Sequence, residues 1–73
     1  MATTMLDKET IGKHLRELRL AKGKTVAQMS EETGLGETAL RNYECGLRIP
    51  RYEAMFNLAA YFDTTVDHIF FSS

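Results

Sequence analysis

In the segment TVAQMSEETGLGETALRNYECGLRIP, Thr25 to Pro50, four polar or charged side chains, Glu37, Thr38, Arg41 and Asn42, recur at spacings that share one face of a short helix. Leu40 and Tyr43 fall on the opposite, core-facing side. An outward row of this kind has the chemistry to lie in a DNA groove, provided it sits on a rigid rod held clear of the rest of the molecule.

The flanking residues supply such a rod. Thr25 is an N-cap, and Gln28, three residues on, completes a capping box that starts a helix at Val26. Met29 and Thr33 share a face, Gly34 takes a positive φ to end the helix, and Leu35 plugs the core. Gly36 then caps a second helix, 37–45, which Gly46 closes. Two helices joined this tightly cross steeply, leaving the outer face of the second free to enter a major groove.

Around this pair the pattern stays helical. Ile11, Leu15, Leu18 and Ala21 or Lys22 define a first helix, capped by Asp7 and stopped at Gly23. After the loop Leu47-Arg48-Ile49-Pro50, Tyr52, Met55, Phe56, Leu58, Ala59 and Phe62 predict a strongly apolar fourth helix with Asp63 as an αL stop. Thr65 caps a short fifth helix from Val66 to about Phe71, with Val66, Ile69 and Phe70 turned inward. The expected fold is all-α: five helices on one core, with residues 1–6 as a flexible N-terminus, 7–71 as a single domain and 72–73 as a tail.

Composition narrows the class of function. Seventy-three residues make one small domain, burying only about 60% of the surface its unfolded chain exposes. Apolar residues make up 44% of the chain, yet none of their runs approaches the roughly 20 residues of a membrane span. MATTMLDKET lacks the basic start and apolar stretch of a secretory signal, and one cysteine excludes an internal disulfide framework, so the cytoplasm is the expected compartment. Cys45, His14 and His68 have no metal-ligand spacing, and no glycine-rich phosphate loop or catalytic set is present. No enzyme, metal or cofactor is expected.

Taken together, HLRELRLAKGKT, Gly34-Leu35, Leu40, Tyr43-Glu44-x-Gly46, Pro50 and LAAYFDTTVDHIF resemble the lambda-repressor-like helix-turn-helix domains, the xenobiotic-response-element family, from about Ile11 to Phe70. The resemblance implies an ion pair between Arg19, in the last turn of helix one, and Glu44, before the closing glycine. It places base contacts at Glu37, Thr38, Arg41 and Asn42. Arg41 suits guanine O6 and N7, Asn42 adenine, Thr38 a thymine methyl or a phosphate, and Glu37 the amino group of cytosine. Phosphate contacts are implied at Gly46, Leu47, Arg48 and Arg51 and at the backbone amide of Val26, which stands where relatives usually carry a phosphate-binding glutamine.

The function so implied is sequence-specific DNA binding by a transcription regulator of repressor type. Charge weighs against strong binding by one copy, since the net charge is −1 and Glu31, Glu32, Glu37 and Glu44 accompany only Arg41 between Thr25 and Gly46. A homodimer on a short palindromic operator would double the contacts. Tyr61, Phe70 and Phe71 are its candidate surface, because adjacent phenylalanines cannot both point into one core. The alternative is a partner-binding or antitoxin-like protein-interaction module on the same scaffold, with weak or no DNA binding.

Overall fold

Asp7 accepts a hydrogen bond from the Glu9 amide at 3.2 Å and another from the Thr10 hydroxyl at 2.7 Å, and so fixes the start of α1, Lys8–Lys22. The computed structural model describes residues 7–71; the N-terminal and C-terminal ends, 1–6 and 72–73, lie outside the described residues. After α1 come α2 (Val26–Thr33), α3 (Glu37–Glu44), α4 (Tyr52–Tyr61) and α5, a wide π-type turn at Asp67–Phe71. Every described element is helical.

The starts and stops follow from local chemistry. Thr25 and Gln28 form the full capping box, with the Gln28 amide donating to Thr25 Oγ1 at 3.0 Å and the Thr25 amide to Gln28 Oε1 at 2.9 Å. Helix α3 ends one residue earlier than the spacing predicts, because Cys45 is already the C-cap, at φ −81° and ψ −5°, and Gly46 turns the chain at φ 78°. Asp63, at φ 58°, is the αL stop expected after α4. Thr65 Oγ1 accepts from the His68 amide at 3.0 Å, but the turn it caps winds wider than the α-helix predicted there.

Ile11 and Leu15 from α1, Met29 from α2, Leu40 and Tyr43 from α3, Met55, Leu58 and Ala59 from α4, and Ile69 and Phe70 from α5 form one buried cluster. Val66 and Leu18 pack only partly against it. The strongly apolar fourth helix divides its apolar residues between two faces. Tyr52 and Phe56 are 68% and 53% exposed and lean on each other edge to face, with ring centroids 4.8 Å apart. The core row of α4 is instead Ala54, Met55, Leu58 and Ala59. Tyr52 and Phe56, one turn apart, form a second apolar row on the outside.

α1 docks mainly on α3, and it does so at backbone range. A Cβ added to Gly12 would stand 2.6 Å from the Tyr43 carbonyl oxygen and 2.7 Å from that of Glu44. Nearby, a Cβ added to Gly46 would stand 3.3 Å from the Glu9 Cα. Only a residue without a side chain lets α1 seat itself on the end of α3. Gly12→Ala is therefore expected to destabilise the fold by about 1–3 kcal/mol despite its gain in helix propensity. Thermal unfolding by circular dichroism checks this, and an unchanged or higher midpoint would show that the contact is not limiting.

Candidate nucleic-acid interface

Between α2 and α3 the chain reverses in three residues, Gly34 to Gly36, and Gly34 takes φ 83°. Side chains clamp the turn from both sides. Ser30 Oγ donates to the Leu35 carbonyl at 2.6 Å, Thr33 Oγ1 donates to the Met29 carbonyl at 2.7 Å, and the same Thr33 oxygen accepts from the Leu35 amide at 3.1 Å. From α4, Asn57 Nδ2 reaches the Thr33 carbonyl at 2.9 Å. These clamps were missed in the sequence. Their only signal is a serine and a threonine in the last turn of a helix, where such side chains bond back to the backbone.

The rod so fixed presents Glu37, Thr38 and Arg41 to solvent, while Asn42 is half-buried and Ala39 lies partly against the core. Arg41 Nη2 donates to Glu37 Oε1 at 3.2 Å, one turn back along α3. An exposed pair of this kind adds little to stability, so both side chains remain available to other partners. The Asn42 carbonyl accepts from the Leu47 amide at 2.9 Å and the Arg48 amide at 3.3 Å, which ties the following loop to the end of α3.

The implied phosphate positions divide. The amides of Gly46, Leu47 and Arg48 all donate to α3 carbonyls, so Gly46 and Leu47 have no uncommitted donor for a phosphate. Leu47 exposes its side chain instead. Arg48 and Arg51 are exposed. Val26 buries its side chain, which accounts for an apolar residue there, and its amide in the first turn of α2 has no intrahelical acceptor.

Arg19 and Glu44 come together in a bidentate pair: Nε to Oε2 at 2.8 Å and Nη2 to Oε1 at 3.0 Å. The third arm of the guanidinium, Nη1, donates to the Lys24 carbonyl at 2.9 Å. The side chains are only 12% and 8% exposed, and the hydrogen bond to Glu44 raises the Arg19 pKa above its ordinary value. One residue thus joins the end of α1, the lead-in to α2 and the end of α3.

The comparisons with known proteins agree with this geometry. The family model described as HTH_3, helix-turn-helix, matches residues 15–69. The chain belongs to this family. Its structure is similar to the restriction-modification controller protein C.AhdI from Aeromonas hydrophila, at 30% identity and a TM-score of 0.81, covering 88% of this chain and 97% of that one. It is also similar to SinR, a master regulator for biofilm formation solved in complex with DNA, at 23% identity and a TM-score of 0.76 over 81% of this chain and 95% of that one. The clp gene regulator ClgR from C. glutamicum shares the fold at 23% identity and a TM-score of 0.78, covering 94% and 88%. No curated protein matches the chain in sequence. As an HTH_3 fold, α2, the clamped turn and α3 form the helix-turn-helix, and no described helix is long and apolar enough to cross a membrane.

Away from this unit, the three residues suggested for a dimer surface separate. Phe70 is buried in the core and drops out, because the turn of α5 sends it inward and its neighbour Phe71 outward, 53% exposed. Tyr61 is half-buried and engaged: its hydroxyl donates to Glu32 Oε1 at 2.6 Å, and Lys22 Nζ sits 5.0 Å from its ring centroid. Lys24 Nζ reaches the other Glu32 oxygen at 3.0 Å. Tyr61 therefore ties α4 to α2.

Burial, then the hydrogen bond to Glu32 and its charge, push the Tyr61 phenol up to about 12 from an ordinary value of 10.0. Because the folded value is the higher one, the tie is fully present below pH 10 and is lost as pH rises through about 12. In a phenolate absorbance titration, the component removed by Tyr61→Phe should be a late one. If that component titrates near pH 10, the Tyr61–Glu32 bond does not exist in solution.

Proposed function

We propose that the chain is a sequence-specific DNA-binding transcription regulator of repressor type that seats α3 in the major groove. The observation that carries this reading is the outer face of α3: Glu37, Thr38 and Arg41 stand exposed on a helix whose other face is fixed in the core and whose ends are pinned by the turn clamps and by Glu44. Membership of the HTH_3 family supports it. Arg41, Thr38, Glu37 and the half-buried Asn42 are the base-contacting residues. Arg48, Arg51 and the α2 amides near Val26 meet phosphates.

The acidic count of the motif overstates the repulsion. Glu44 is matched by Arg19, and Glu32 by Lys24, so both carboxylates are neutralised within the fold. Glu31 and Glu37 remain to oppose Arg41, Arg48 and Arg51. Binding should therefore be salt-sensitive and modest for one copy. Fluorescence anisotropy on duplexes selected from a random pool at low salt tests this. Arg41→Ala should relax preference at one base position, whereas Arg48→Ala should weaken all sequences alike and lower the salt slope by about one. Failure to enrich any sequence would defeat the reading.

A homodimer on a short palindrome completes the proposal, with recognition helices about 34 Å apart. Its surface is moved from Tyr61 and Phe70 to the exposed pair Tyr52 and Phe56, of which Phe56 lines an open groove with Ala60 and Val66. A second copy offering the same aromatic row would cover that groove across a two-fold axis. The same exposed pair favours the alternative of a protein-interaction module. In sedimentation equilibrium, wild type should dimerise and Phe56→Glu should be monomeric with an unchanged far-UV spectrum. A monomeric wild type would leave the row to a different protein partner.

A further inference from the structure

Three of the four carboxylates of the helix-turn-helix are paired, and the fold deals with them differently. Glu44 holds Arg19, and Glu32 holds Lys24 and Tyr61, so each is bound to a distant element. Glu37 instead pairs with Arg41 on its own helix, on the face that would meet DNA. An exposed pair four residues apart is not needed to keep α3 folded. Its position gives it a different use.

Resting on the DNA-binding reading above, we propose that Glu37 and Arg41 read two neighbouring base pairs as one unit, and that Glu37 rejects DNA lacking the matching step. Although the two residues are a turn apart on α3, their side chains converge, and the bonded atoms lie 3.2 Å apart, close to one base-pair rise of about 3.4 Å. The bond from Arg41 Nη2 to Glu37 Oε1 uses one of five guanidinium donors and fixes the plane of the group, leaving other N–H groups to grip guanine O6 and N7. Glu37 keeps further acceptor capacity, which suits the amino group of a cytosine or adenine beside that guanine. Where a base offers only acceptors, the carboxylate is desolvated without a donor and also repels the phosphates. The pair therefore combines an attractive contact with a repulsive filter.

The test is selection from a random-sequence duplex pool, followed by anisotropy with the full chain and its Glu37→Gln, Arg41→Ala and doubly substituted forms. Wild type should select guanine next to a base carrying an amino group. Glu37→Gln should flatten preference at both positions and tighten binding to an unrelated duplex several-fold, since one charge opposing the phosphates is removed. The effect of Arg41→Ala on the selected duplex should shrink by about ten-fold in the Glu37→Gln background. Undiminished preferences in Glu37→Gln, with independent effects of the two substitutions, would overturn the coupled unit while leaving DNA binding intact. No selection by wild type would overturn both.

Discussion

Seating α1 on the end of α3 is the constraint from which the rest of the structure follows. Two contacts of opposite character make it. At Gly12 the backbones approach so closely that no side chain fits, and two turns along α1 the Arg19 guanidinium grips Glu44 with both of its parallel donors. The first sets how near the helices lie and the second sets their rotation and register. Neither is chiefly a source of stability, since a partly desolvated ion pair gains little net free energy; what it supplies is a single geometry. Because Arg19 also holds the Lys24 carbonyl, the lead-in to α2 is fixed by the same side chain. The angle between α2 and α3, and so the presentation of α3, depends on a few atoms outside the motif itself.

The same economy governs charge. In a chain of net charge −1, a nucleic-acid surface requires its carboxylates to be removed from the electrostatic ledger or put to use. Glu44 and Glu32 are removed by Arg19 and Lys24, and the Tyr61 hydroxyl and Lys24 hold the Glu32 carboxyl below its ordinary pKa. Among the exposed basic groups, Arg41, Arg48 and Arg51 belong to α3 and to the loop and cap that follow it. A local positive edge is thus possible on a molecule with no overall positive charge.

Much of this was legible in the sequence because it rests on local chemistry. The Thr25–Gln28 box, the turns at Gly34 and Gly46, the cap at Asp7 and the stop at Asp63 each follow from a residue type and its immediate neighbours. The Arg19–Glu44 contact, 25 residues apart, has no such local signature and came from the family resemblance. Gly12 was invisible for a related reason: within a helix it reads as a weak helix former, and only the arrival of α3 against it gives it a role. The exposure of Tyr52 and Phe56 was not legible, because a strongly apolar run does not say how many faces its residues occupy.

The exposure of this pair has a physical consequence for α4. A helix apolar on two sides is suited either to complete burial or to burial on one side and association on the other. Here Met55, Leu58 and Ala59 fill the core while Tyr52 and Phe56 stay outside. The outer row begins immediately after Arg51, the N-cap of α4, which follows the loop bonded to the Asn42 carbonyl. An occupant of the Tyr52–Phe56 row would therefore press on the element that carries Arg51 and, through the loop, on the exit of α3. The proposed association at one face of α4 and the proposed phosphate contact at its start would thus fall on a single helix, so ordering that helix for one would reduce the freedom left to be lost in the other.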